Sequence, residues 1–239
     1  MSRYKDVYDK VLPEAKRQSE KPNIVLSKIV RPLCIYATLP FLDTNIRPTT
    51  ITKISVLASL IGFGFLSFGR SLLFNIVGWI FFFIWVILDG VDGNLARYKN
   101  QTSVMGEVWD AFGGYVAMVL TYFGAGIAAF YDTNRFSYCD PYWLLIIGGA
   151  TAVMSIFPRL MMHKKRETMG SNESTKEFTN KQAFGLKQAI AMNFISLSGL
   201  FQIIFLVCII LHLLNWWILF YCIANLGMML ISLRSILKE

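Results

Sequence analysis

The chain has 239 residues, 55% of them hydrophobic and 16% charged, with a mean hydropathy of +0.50. An ordinary soluble domain of that length carries more charge and fewer aromatics, so the composition favours a membrane protein over a soluble one. A net charge of +8 would raise nucleic acid as a partner of a soluble chain, but the way this charge is distributed excludes that reading. In chain order, residues 1–23 are polar and mixed in charge. No apolar core follows a short basic start, so they read as a polar cytoplasmic N-terminal segment and not a signal peptide. Residues 24–239 then read as one membrane domain. Its first stretch, 24–42, is interrupted by Lys28, Arg31, Pro32 and Pro40 and is too polar to span, which predicts an amphipathic helix lying at the membrane surface. Uncharged apolar runs follow at 54–69, 71–88, 111–131, 142–158, 189–215 and 216–233. A span needs ~20 residues, so the first run is expected to extend back through Lys53 and Thr52, whose polar ends can reach the interface. The last two runs abut, with the predicted turn at Asn215-Trp216. The expected fold is all-α: an integral membrane protein with six transmembrane helices preceded by an interfacial amphipathic helix.

Lysine and arginine set the predicted orientation. With the N-terminus in the cytoplasm, 21 of the 23 cations fall on that side, and only Arg70 and Arg135 fall outside. That asymmetry predicts cytoplasmic N- and C-termini and explains the high pI through contact with anionic lipid. The sequon at Asn172 would then face the cytoplasm, where it is not glycosylated. The four cysteines show no metal-type spacing and imply no disulfide framework. Trp216, Trp217 and Tyr221 read as an interfacial aromatic belt, and His212, near the outer end of the fifth run, as structural.

Chemistry is concentrated between the second and third runs, in the stretch 89–114. There the chain reads Asp89-Gly90-Val91-Asp92-Gly93-Asn94-Leu95-Ala96-Arg97 and then Gly106-Glu107-Val108-Trp109-Asp110. An acid at the centre of a membrane helix costs ~2.5–3.5 kcal/mol, so boundary acids are functional candidates by default. If the second helix continues past Leu88, Asp89 and Asp92 share one face, as do Gly93 and Ala96. Two carboxylates in one stripe can hold a hard divalent cation, and Asp110 can complete the cage from the next helix. Oxygen-only ligands favour magnesium, manganese or calcium over zinc. Helix capping by Asp89 and Asp92 is the structural alternative, and an ion relay in a transporter is open to any three membrane-edge acids. An EF-hand is excluded, because the twelfth position from Asp89 is Asn100.

The whole string, Asp89-x-x-Asp92-Gly93-x-x-Ala96-Arg97, eight residues, Gly106-x-x-x-Asp110, resembles the signature of the CDP-alcohol phosphotransferase (phosphatidyltransferase) family. The segment Arg47-Pro48-Thr49-Thr50-Ile51-Thr52 is similar to the Pro-Asn-x-x-Thr segment that opens the family's first helix, with Thr49 where Asn is usual. The resemblance implies a reaction in which an acceptor hydroxyl attacks a CDP-linked alcohol, giving a phosphodiester and CMP, in phospholipid, phospho-glycolipid or polysaccharide synthesis. It implies that Asp89, Asp92 and Asp110 ligate one or two Mg2+ or Mn2+ ions. It also implies that Thr52, Gly93, Ala96, Arg97 and Gly106 border the nucleotide beside Asp89 and Asp92, and that the protein is a homodimer among membrane lipids.

One departure matters. The family's signature ends with a further Asp four residues after Asp110, a metal ligand and general base, and here that position is Gly114. Glu107 is a candidate substitute base, against the alternative of a helix-start acid favoured by the dipole. Arg159, after Pro158, is a candidate grip on an acceptor phosphate, against the alternative of a membrane anchor; the basic cluster His163 to Arg166 reads as an anchor. Gly114 also motivates a second functional reading, a non-catalytic homologue that binds a CDP-linked lipid or serves as a subunit. A small-solute or ion transporter is the third, and it leaves Gly93, Ala96 and Arg97 at these spacings unexplained.

Overall fold

The computed structural model describes residues 3–132, 140–169 and 193–237, and among them it is helical with no strand. The elements are α1 (Arg3–Val11), α2 (Glu14–Glu20), a π turn (Leu26–Val30) leading into α3 (Arg31–Thr38) and a 3-10 turn (Leu39–Phe41), then α4 (Pro48–Phe68), α5 (Leu72–Tyr98), α6 (Val104–Tyr131), α7 (Tyr142–Met169), α8 (Leu200–Ile210) and α9 (Leu214–Leu237). Five of these, α4, α5, α6, α7 and α9, are long and apolar enough to cross a membrane. The 11-residue α8 rises about 16 Å at 1.5 Å per residue, less than the ~30 Å hydrocarbon core. It lies within the run 189–215, of which residues 193–215 are described; the first four residues of the run lie outside the described residues, as do Asn172 and the side chains of His163, Lys165 and Arg166.

The long helices outrun the apolar runs. The second continues ten residues past Leu88 to Tyr98, the third starts at Val104, and the fourth continues through Pro158 to Met169. Hydropathy marks where apolar side chains stop, whereas the helix stops where its backbone is capped. Asn100 ends α5 in the left-handed region (φ 52°). There the Gln101 amide reaches back to the Ala96 carbonyl (2.8 Å) and the Asn100 amide to that of Arg97 (3.4 Å), a Schellman stop. Three residues later the Ser103 hydroxyl accepts the Gly106 amide (3.0 Å), capping the start of α6. The last turn corrects the sequence expectation. It lies at 211–213, not at Asn215-Trp216, with His212 at φ 54° and the Leu213 amide bonded to the Cys208 carbonyl (2.7 Å). Asn215 and Trp216 fall in the first turn of α9, where Asn215 is buried.

The chain divides into two compact units. The first comprises Met1–Gly62, Trp79–Ala117 and Phe184–Ile204. Its core is built by Val7, Val11, Leu12, Ile35, Leu42, Ile51, Val91 and Leu95, so the polar N-terminal segment contributes three buried side chains. The helical run from residue 24 to Phe41 is capped by Asn23, whose side chain accepts the Leu26 amide (3.1 Å). It buries Val30, Cys34, Ile35 and Thr38 against the unit and leaves Ile24, Ile29, Leu33 and Tyr36 exposed. Gly90 lets this run approach α5, because a Cβ there would collide with the Cys34 side chain. Gly90→Leu is therefore expected to destabilise the protein by about 1–3 kcal/mol through overpacking, read as a lower melting temperature in detergent.

The second unit comprises Phe63–Gly78, Met118–Ala183 and Phe205–Glu239. In it α7 packs along α9, and Gly126 and Gly148 bring α6 and α7 into backbone contact, since a Cβ on either would stand 2.8 Å from the other's Cα. Tyr122, Phe205, Trp217 and Tyr221 form a buried aromatic cluster. The predicted belt residues Trp217 and Tyr221 thus face inward, and only Trp216 is exposed. His212 Nδ1 meets Asp132 at 2.7 Å.

Candidate active site

The first unit contains a cleft where the start of α4, the end of α5 and the start of α6 meet. Pro48, fixed for the first helical turn by its ring, begins α4 and lines the cleft with Thr49 and Thr52. From α5 come Asp92, Gly93, Ala96 and Arg97, all on the stripe that i, i+1, i+4 and i+5 spacing creates. The capped turn supplies Gln101, Thr102 and Ser103, and α6 supplies Gly106, Glu107 and Asp110. Gly113 closes the seam beyond the cleft, since a Cβ there would lie 3.3 Å from Val56 Cγ2 of α4.

Asp92 is the most enclosed acid in the cleft, with 4% of its surface exposed. Its carboxylate accepts the Thr52 hydroxyl at 2.6 Å, so Thr52, which the sequence places only as a neighbour of the nucleotide, is a direct partner of this acid. Asp110 and Glu107 are exposed at the opposite wall. Arg97 is half-buried. Its Nε donates to the Val11 carbonyl (3.0 Å) and its Nη2 to Asn94 Oδ1 (3.1 Å). That posture lays the guanidinium across Gly93, where a Cβ would stand 3.2 Å from Nη2. Asn94 is itself anchored by donating to the Thr38 hydroxyl (3.2 Å).

Of the residues singled out from sequence, Thr52, Asp92, Gly93, Ala96, Arg97, Gly106, Glu107 and Asp110 line this one cleft. Asp89 stands one turn before Asp92 on α5, half-buried and outside the lining. Arg159 belongs to the second unit, exposed on α7, and Gly114 is buried on α6, one turn past Asp110. Sequence reasoning missed Thr49 and the turn 101–103 as lining, although the Asn100 and Ser103 caps were legible signals for a tight turn. Among the described residues no three His, Cys, Asp or Glu side chains are gathered closely enough to hold a metal ion. The donors that line the cleft nevertheless fit a hard divalent cation in kind: three carboxylates and hydroxyls, with no thiol or imidazole.

The family model for CDP-alcohol phosphatidyltransferase matches residues 45–224. The matched stretch covers three quarters of the chain and includes every residue that lines the cleft. No curated protein matches the chain.

Proposed function

The chain belongs to the CDP-alcohol phosphatidyltransferase family, and from that premise we propose that it transfers a substituted phosphate from a CDP-linked alcohol to an acceptor hydroxyl, releasing CMP, at the α4–α5–α6 cleft. Transfer of a phosphoalcohol from a CDP-alcohol is the family's reaction. One observation carries the placement: signature residues from two helices, Asp92, Gly93, Ala96 and Arg97 with Gly106 and Asp110, line the same cleft with Thr52. In this reading Asp92 and Asp110 of the lining, with Asp89 one turn before Asp92, would hold Mg2+ or Mn2+, which would neutralise the diphosphate and stabilise CMP as leaving group. Thr52 orients the Asp92 carboxylate through its 2.6 Å hydrogen bond. Gly93 and Gly106 let the nucleotide approach the backbone, and Arg97 meets a phosphate oxygen with a planar fork of donors. Arg159 is proposed for a phosphorylated acceptor, and the products belong to phospholipid, phospho-glycolipid or polysaccharide synthesis.

The proposed setting is a six-span protein. The exposed apolar residues Ile24, Ile29, Leu33 and Tyr36 of the run 24–41 rest in the cytoplasmic interface, and both termini and the cleft face the cytoplasm. Reporters placed after Glu239 and near Asn172 are expected to be cytoplasmic and one near Thr133 external; an external reporter at Asn172 overturns both span count and orientation. The function itself is tested with purified protein, magnesium or manganese, and a panel of CDP-alcohols and acceptors. CMP release that needs both metal and acceptor is the expected result. Metal-dependent CDP binding with no CMP release across the panel would favour the non-catalytic homologue to which Gly114 points.

A further inference from the structure

A second polar cavity opens in the first unit beside the cleft, between the loop 42–47 that leads into α4 and the end of α5. Asp43, Thr44, Asn45, Arg47, Lys99 and Gln101 line it. Gln101 also lines the cleft, and Arg47 immediately precedes Pro48 of the cleft wall, so the two cavities adjoin. The loop is held in shape from within and from α5. The Thr44 hydroxyl donates to the Phe41 carbonyl (2.8 Å) and accepts the Ile46 amide (3.4 Å). The Lys99 ammonium donates to the Thr44 carbonyl (2.6 Å) and to that of Ile46 (3.5 Å).

The cations of this cavity have no carboxylate of their own. Lys99 is half-buried with its charge met by carbonyl dipoles, and among the described residues neither it nor Arg47 forms an ion pair. Asp43, the one carboxylate in the lining, is itself paired with Arg3 of α1. Carbonyl contacts orient an ammonium without cancelling its charge, so the lining stays positive. An ammonium has three N–H donors; the loop carbonyls occupy two of those on Lys99 and leave one for a ligand. Arg47 adds a planar fork of donors matched to phosphate oxygens, and the amides of Asn45 and Gln101 add neutral donors. A phosphate suits this set better than a carboxylate, because its several oxygens can meet both cations and an amide at once.

We propose that this cavity is a phosphate-binding site separate from the nucleotide cleft, with Lys99 and Arg47 as its cations. The phosphate is carried either by the headgroup of a bilayer lipid or by a small phosphorylated molecule. The loop continues directly from the amphipathic run 24–41, which in the proposed setting brings the cavity to the level of lipid headgroups. The site stands on its own lining and requires no particular reaction at the cleft. No covalent step is assigned to it.

The test is equilibrium binding to the purified full-length protein in detergent, without divalent metal, in two arms. One compares glycerol 3-phosphate with glycerol, and the other compares phosphatidic acid with diacylglycerol in mixed micelles. The wild type is expected to bind the phosphate-bearing member of at least one pair saturably and its phosphate-free counterpart far more weakly; the arm that shows this names the source. Lys99→Gln and Arg47→Gln are each expected to weaken that binding roughly tenfold. Lys28→Gln, which removes an exposed cation outside the cavity, is expected to leave it unchanged. Lys99 also braces the loop, whereas the Arg47 side chain does not, so the loss in Arg47→Gln separates a ligand contact from a displaced loop, and Arg47→Lys should restore most of it. Absence of saturable phosphate binding in both arms overturns the proposal. So does unchanged affinity in either cavity variant, or an equal loss in Lys28→Gln, which would mark diffuse attraction to a basic protein. None of these results decides whether the cleft releases CMP, so the proposal and the proposed function fail separately.

Discussion

Asp92→Asn is expected to lower CMP release from a CDP-alcohol by at least ~10²–10³-fold and to remove the divalent-ion dependence of CDP binding, without unfolding the protein. Asparagine keeps the size of the side chain and an oxygen that can still accept the Thr52 hydroxyl, so the packing around this 4%-exposed position survives. What disappears is a carboxylate held in a poorly solvated place, and with it the attraction for a hard cation. Because isolated buried charge costs stability, the melting temperature of the variant in detergent should equal or exceed that of the parent. Loss of function and gain of stability in one variant is a pairing that general misfolding cannot produce. Asp89→Asn and Asp110→Asn should show the same loss of metal dependence. If Asp92→Asn binds CDP and metal as the parent does, the carboxylate is not a ligand and the reading of the cleft fails.

Glu107→Gln carries the second large effect. A positioned general base contributes ~10²–10⁴-fold, or roughly 3–5 kcal/mol of barrier, and Gly114 supplies none. Glu107 lines the cleft with Asp110, whereas Gly114 is buried outside the lining. Seven helical residues separate Glu107 from Gly114, about 10 Å along the axis, so Glu107 can take the acceptor's proton only if the acceptor enters over the first turn of α6. On that reading Glu107→Gln loses CMP release by ~10²-fold or more, with the KM for the CDP-alcohol little changed. Glu107 also sits in the first turn of α6, where a carboxylate stabilises the helix by only ~0.3–1 kcal/mol. Full activity in Glu107→Gln would leave it that helix-start role alone. Gly114→Asp is the companion variant, and a gain in rate there would mean that the surrounding geometry still suits a base one turn past Asp110.

The apolar runs located the five long helices because membrane insertion demands continuous hydrophobicity, and hydropathy reports that demand directly. Their polar ends were harder to read. The ten residues of α5 beyond Leu88 contain Asp89, Asp92, Asn94 and Arg97, which look like loop by composition and are helix because nothing stops the backbone before Asn100. The site residues on α5 and α6 were legible as a pattern, since helical spacing alone places Asp92, Gly93, Ala96 and Arg97 on one stripe. The Thr52–Asp92 bond was not, because forty residues separate its partners and no local rule pairs them. Nor was the burial of Val7, Val11 and Leu12, whose helical spacing is swamped by flanking charge. His212 in a left-handed conformation is a further case: it is held by the Schellman bonds and by Asp132 across eighty residues, and Asn215 was the more ordinary turn residue to choose.

The burial of Val7, Val11 and Leu12 in one core with Val91 and Leu95 of α5 also fixes an order of events during synthesis. Val11 and Leu12 are translated about 80 residues before Val91 and Leu95, the α5 side chains that share their core. At ~5–20 residues per second the ribosome needs about 4–16 s to cover that distance, and during it the second membrane helix must be made and inserted. Through that interval the three apolar side chains of the leading segment have no finished surface to cover them, and Arg97 does not yet exist to be held. The core of the first unit is therefore a late product of biogenesis, completed when the first-made helix folds back onto a hairpin already in the bilayer.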